Sequence, residues 1–170
     1  MKLRSKLALV SALTAALFCP VLAPVANAET VQGQVTIVSA QTCGLNFVSG
    51  SPINYGSLSQ GQLSAEQTLA IDNTGNAQGS LSVSGTQWTA IVGAQSVNVM
   101  NVGATQYAPT PGAPYGAAPK VPLTTSPVTV GNISPTTNMN LFWQLRADLA
   151  AGQTGFTGAT TQTVTLTAAC

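Results

Sequence analysis

The groups able to do chemistry in this chain are few and widely spaced. Its 170 residues include five basic and four acidic side chains, three cysteines and no histidine. Without an imidazole there is no Ser-His or Cys-His nucleophile and no His-ligated metal. The carboxylates are Glu29, Glu66, Asp72 and Asp148. Glu66 and Asp72 share a parity, so on a regular strand both point away from Leu69 and Ile71, about 20 Å apart at ~3.3 Å per residue. That is too far for paired acid–base work. Asp148 stands two residues after Arg146 and is expected to form a local ion pair or cap a turn. Lys120 lies among prolines with no nucleophile motif around it. No Gly-rich loop opens a helix to cradle phosphate, no carboxylate cluster suits calcium, and cysteines without histidine make a poor zinc site. These residues predict no enzyme, no metal and no cofactor.

The first 28 residues read as a delivery signal. Lys2, Arg4 and Lys6 precede an apolar run from Leu7 to Phe18, then Pro20, Pro24 and the small-residue site Ala26-Asn27-Ala28. That order is a secretory signal peptide, residues 1–28, cut after Ala28. The run is too short and too broken by proline for a membrane span, which needs ~20 apolar residues. Phe18 before Cys19 does not suit a lipoprotein site, and the glycine that precedes the apolar run of a type IV pilin leader is absent. The mature chain is therefore expected to be secreted, extracellular or at the cell surface, with no membrane span.

Cleavage leaves Lys120 and Arg146 against four acids, a formal charge of −2. Over the whole chain the charged fraction is 5%, against ~25% in an average soluble protein. A basic nucleic-acid surface and an acidic disordered tail are both excluded. The surface falls to Ser, Thr, Asn and Gln. Such a surface packs against its own copies with little charge desolvation, and low net charge favours association. The composition suits a protein that assembles or is glycosylated.

Two cysteines remain, Cys43 and Cys170. In an oxidising compartment they allow one intramolecular disulfide. It would close nearly the whole domain, worth on the order of 4–5 kcal/mol in the chain-entropy model. A bridge between subunits is the alternative.

After the leader, period-two alternation recurs and no helical period is sustained. Val31, Gly33, Val35 and Ile37 share one face; Cys43, Leu45 and Phe47 begin a second segment. Gln67, Leu69 and Ile71 lead into Asp72-Asn73-Thr74-Gly75-Asn76, a turn, and Leu81 and Val83 follow, so residues 65–84 read as a hairpin. Val97 and Val99 mark a short strand, and Met139, Leu141, Trp143 and Leu145 a longer one. Val164, Leu166 and Ala168 alternate with Thr163, Thr165 and Thr167. About seven strands separated by turns predict an all-β, immunoglobulin-like two-sheet sandwich with an N-terminal strand arm. Trp88 and Trp143 are expected in its core with Leu81, Val83, Val164 and Leu166. Residues 103–122 carry five prolines' worth of interruption at Pro109, Pro111, Pro114, Pro119 and Pro122, together with Tyr107 and Tyr115. Proline removes ladder donors, so this reads as an exposed loop, either a tolerated insertion or a contact arm. Asn132-Ile133-Ser134 is an N-glycosylation sequon.

Residues 29–40 lie before Cys43, outside the loop that a Cys43–Cys170 bridge would close, and the sandwich domain covers 41–170. With a clean apolar face and no proline, this arm could be inserted into a neighbouring copy as a missing strand. Head-to-tail repetition then makes a filament. The alternative is that residues 31–38 are the first strand of their own sandwich.

The words Val31-Gln32-Gly33-Gln34-Val35, Cys43-Gly44-Leu45-Asn46-Phe47 and Ile53-Asn54-Tyr55-Gly56-Ser57-Leu58 resemble the start of secreted pilin-like sandwiches of the spore-coat-U type. The turn Ile71 to Asn76 and the ending Thr163 to Thr167 resemble immunoglobulin-like subunits of filaments assembled by donor-strand exchange. The resemblance implies a structural subunit whose partners are its own copies, with Val31, Gly33, Val35 and Ile37 as the donated face. Two features depart from it. Family members pair the early cysteine with one on the next strand, where this chain has Ile71, and Cys170 replaces the aromatic-rich end that periplasmic chaperones read. From another class comes a second expectation: a monomeric binding module for a glycan or surface ligand, using Tyr107 and Tyr115.

Overall fold

The computed structural model describes residues 30–41, 44–153 and 156–170, so the signal segment expected over residues 1–28 lies outside the described residues. The described chain is an all-β sandwich of two sheets. Its strands are β1 (Thr30–Gln41), β2 (Leu45–Ser49), β3 (Ile53–Ser59), β4 (Gln67–Asn73), β5 (Gly79–Gly85) and β6 (Trp88–Val92). There follow β7 (Gln95–Met100), β8 (Thr105–Ala108), β9 (Val121–Pro122), β10 (Val128–Ile133), β11 (Asn138–Leu145) and β12 (Gly158–Ala169). A single 3-10 turn, Val102–Ala104, precedes β8. The first sheet runs β10-β5-β12-β1-β3, with β6 attached to β12 and β7 beyond it; the second runs β2-β4-β11-β8-β9.

Alternation decides which side chains meet between the sheets. Leu81 and Val83 on β5, Val164 and Leu166 on β12, and Leu141, Trp143 and Leu145 on β11 are all fully buried, and so is Trp88 at the start of β6. The expected core residues thus lie in one cluster. The first sheet contributes β-branched Val and Thr, which suit a pleated, half-buried surface. Twelve strands stand where the alternation marked about seven, because pieces as short as β8 and β9 carry too few residues to show a period.

Residues 65–84 are not a hairpin. β4 pairs with β2 and β11 in the second sheet, while β5 pairs with β10 and β12 in the first. The turn between them is an arch from sheet to sheet, so Leu69 and Ile71 face Leu81 and Val83 across the core. Asn73 holds this arch. Its side chain accepts from the Gly75 N–H at 2.9 Å and donates to the Ala77 and Ile133 carbonyls at 2.9 and 3.1 Å. Buried to 1% exposure, it satisfies backbone groups that the arch would otherwise strand away from water.

The sheets are also tied by a buried polar relay. Trp88 Nε1 donates to Thr105 Oγ1 at 3.0 Å, and that hydroxyl donates to Gln162 Oε1 at 2.7 Å. Gln162 Nε2 in turn donates to the Thr86 carbonyl at 2.8 Å. Every member has a partner, which is the condition under which a polar network in a core fixes one packing.

Candidate functional site

β1 is an interior strand of the first sheet. Val31 to Gln41 run parallel to Gly158 to Ala168 of β12 on one side. On the other, Thr30 to Val35 run antiparallel to β3. Thus only the first half of β1 lies in a slot with a strand on each side. Val31, Gly33, Val35 and Ile37 face the core, and Gln32, Gln34 and Thr36 face out. Each buried Val or Ile is worth about 1.5–3 kcal/mol relative to exposure. Thr160 adds a side-chain bond, its hydroxyl donating to the Gln32 carbonyl at 2.9 Å.

Gly33 is required by space. A Cβ there would sit 2.6 Å from Leu145 Cδ2 and 3.3 Å from Trp88 Cη2, so the packing of the two sheets leaves room at this position for hydrogen only. Opposite it the β3 ladder breaks: Gly33 pairs with Gly56 and Gln34 with Asn54, leaving Tyr55 as the extra residue of a bulge. Gly56 takes φ +70°, and the Asn54 side chain closes the bulge by accepting from the Gly56 N–H at 2.8 Å. The bulge changes parity along β3, so that Tyr55 and Leu58 are both buried. Tyr55 sits 6.3 Å from Trp88, ring to ring, and burial pushes its phenol well above the usual range.

Cys43 lies outside the described residues, so its pairing is not described. Cys170, just past β12, has a bonding partner and is not a free thiol. Asn132 is exposed on β10, an edge strand, where it pairs with Ser80.

The segment 103–122 differs from the exposed, structureless loop expected of it. Tyr107 belongs to β8 and is a core residue at 3% exposure, its ring 5.2 Å from that of Trp143. It offers no surface to a ligand. Tyr115 donates its hydroxyl to the Ala104 carbonyl at 2.9 Å and lies under the Arg146 guanidinium at 5.1 Å. The prolines at 109, 111, 114 and 119 are exposed, but Gly112 donates its N–H to Glu66 and Gly116 its own to Gln106.

Beneath this loop sits the one fully buried cation among the described residues. Lys120 Nζ donates to Glu66 Oε2 at 2.9 Å and to Gln144 Oε1 at 2.6 Å, with a side-chain exposure of 0% against 23% for Glu66. Partial burial raises the Glu66 carboxyl, but the Gly112 N–H and the Lys120 ammonium outweigh it and hold the group below its usual range. A carboxylate fixed by an ammonium and an N–H is a clamp. Sequence spacing gives no sign of it, since the partners are 54 residues apart. Arg146 and Asp148 form the local ion pair expected of them, at 2.5 Å and about half exposed.

Among the described residues no three His, Cys, Asp or Glu side chains converge as metal ligands, and no helix is long and apolar enough to cross a membrane. In comparison with known proteins, no family model matches the chain and no curated protein matches it in sequence.

Proposed function

We propose that the mature chain is an exported structural subunit of an extracellular or cell-surface filament, assembled by donation of the N-terminal strand to a neighbouring copy. The observation that carries this reading is the position of β1. A strand at the beginning of the mature chain fills an interior slot, between the last strand and β3. Taking it out leaves β12 and β3 about 9.6 Å apart, two strand spacings, with unpaired ladders on both sides. An identical strand from another copy satisfies those ladders equally well, so the choice between them follows concentration and tether geometry.

The disulfide belongs to this reading. Register pairs Gln41 with Ala168, and two residues further along each segment come Cys43 and Cys170. A bridge there fastens the root of the arm to the end of β12 and leaves residues 30–38 free to swing. The subunit is then of the immunoglobulin-like, spore-coat-U kind its sequence resembles. A glycan-binding module built on Tyr107 and Tyr115 gains no support from a Tyr107 buried against Trp143.

The test is to unfold the mature chain and refold it at rising concentration, followed by sizing and electron microscopy. Polymers are expected at high concentration. A chain lacking residues 29–38 should form none, and should regain a sheet signal when the free 29–38 peptide is added. Monomers at every concentration overturn the reading.

A further inference from the structure

Lys120 closes a surface loop with exposed prolines at 109, 111, 114 and 119, yet its side chain has 0% exposure. A loop lysine ordinarily keeps its ammonium in water, because stripping that charge of water is costly. Here two side chains receive it instead, Glu66 Oε2 at 2.9 Å and Gln144 Oε1 at 2.6 Å. An ion pair needs only the carboxylate. The amide brings something else to the nitrogen, an acyl carbon that an amine can attack.

All three groups are positioned by backbone. Gln144 stands on β11 opposite Gln106 of β8, on the face turned away from the core. Its Nε2 donates to the Ser64 carbonyl at 3.3 Å. Ser64 is itself tied to β11, its N–H donating to the Leu145 carbonyl and its hydroxyl accepting from the Leu145 N–H. Glu66, two residues on, accepts the Gly112 N–H at 3.0 Å. Lys120 is set by its own N–H, which donates to the Ala117 carbonyl at 2.9 Å, and β9 begins at the next residue. The Nζ–Oε1 distance plus one C=O bond of ~1.23 Å places Gln144 Cδ within about 3.8 Å of Nζ. That is close to the ~3–3.5 Å at which held groups react. The terminal torsion of a glutamine is soft, so a small turn of the amide presents its carbonyl face to the nitrogen.

We infer that the folded chain joins Lys120 to Gln144 by an isopeptide bond, with Glu66 as the proton acceptor. Glu66 takes one proton from the ammonium and leaves a neutral amine, the nucleophilic form. Nζ then adds to Cδ. The Nζ–Cδ bond forms, the Cδ–Nε2 bond breaks, and a second Nζ proton passes to Nε2, which leaves as ammonia. Glu66 returns its proton to that ammonia, which departs as ammonium, and the carboxylate is restored. A buried ammonium is thus exchanged for a neutral amide and a cation in water. The ion pair is the chain as first folded, and the bond is the state to which it matures. It fastens the end of the proline-rich loop to β11 in the second sheet, and it stands apart from strand donation.

Trypsin gives the test, because Lys120 and Arg146 are the two basic residues of the mature chain. The secreted chain is incubated folded, then denatured with its thiols reduced, and digested. An acylated lysine is not cut. The expected result is cutting after Arg146 alone, an intact mass lower than the sequence by one ammonia, and a cross-link mapped by peptide mass spectrometry to positions 120 and 144. Cutting at both sites with the full sequence mass overturns the inference and leaves the ion pair. Loss of ammonia mapped to any other residue, or a protected Lys120 with no such loss, overturns it as well. Gln144→Met removes the acyl carbon while leaving Lys120 and Glu66 to pair, and should be cut at both sites; protection of Lys120 in that chain overturns the assignment to Gln144. Glu66→Gln keeps the hydrogen bonds but takes up no proton, and should be cut at both sites with the sheet signal of the parent. A bond formed as fast in it as in the parent overturns Glu66 as the proton acceptor.

Discussion

The N-terminal strand and the proline-rich loop 109–120 are held in opposite ways. β1 is held by backbone ladders on its flanks and by apolar side chains, with no ionisable group between residues 30 and 41. The loop forms no ladder of its own. It is held by discrete side-chain bonds: Gly112 to Glu66, Gly116 to Gln106, Tyr115 to Ala104, and the buried Lys120 below. The loop is also continuous at both ends with β8 and β9, whereas β1 is the first of the described strands. Ladders and apolar faces can be satisfied by any identical strand with a free end. A clamp between two fixed ends can only open and close. The difference separates a segment suited to exchange from one suited to bracing.

Changing Gly33 strikes the first segment hardest. Gly33→Val should expel the strand or displace Trp88, costing about 3 kcal/mol or more as overpacking in a site with no slack. Denaturant unfolding should show the lower midpoint, and refolding should yield no polymer. Lys120→Met breaks the second segment. It leaves the Glu66 carboxylate without its ammonium and should cost about 2 kcal/mol, less than a fully buried pair because Glu66 keeps 23% exposure. Limited proteolysis between 109 and 119 should quicken several-fold while polymer yield stays as in the parent chain.

Acid should divide the two segments more gently. The Glu66 carboxyl is held below its ordinary value of 4.5 in the folded chain, so its contribution is full above that pH and is lost as pH falls through the lower folded value. Loop protection measured by proteolysis with an acid-active protease should therefore decline below about pH 4.5. Amide protection across β1 should not follow it. The smallest effect belongs to Arg146→Ala. That pair is solvent-exposed, and removing it should leave the unfolding midpoint close to that of the parent chain.

Much of this fold is legible in the sequence, because burial in a strand leaves a period of two. Val164 and Leu166, Leu141 and Trp143, and the face Val31 to Ile37 all stand out by alternation and all are buried. Alternation names a face, however, not the sheet that owns it. Leu69 and Leu81 would face inward in a hairpin or in an arch between sheets, and only the arch occurs. The Lys120 clamp and the relay from Trp88 through Thr105 to Gln162 were not legible, since they join residues brought together only by packing. Tyr107 was misread because its prolines follow rather than surround it, and β8 ends before they begin.

The most direct measurement is a high-resolution electron cryomicroscopy map of the secreted assemblies, traced through residues 30–44. Strand donation predicts continuous backbone passing from each copy into the β12–β3 slot of the next. A map in which every slot is filled by its own chain, with no backbone crossing between copies, would contradict it.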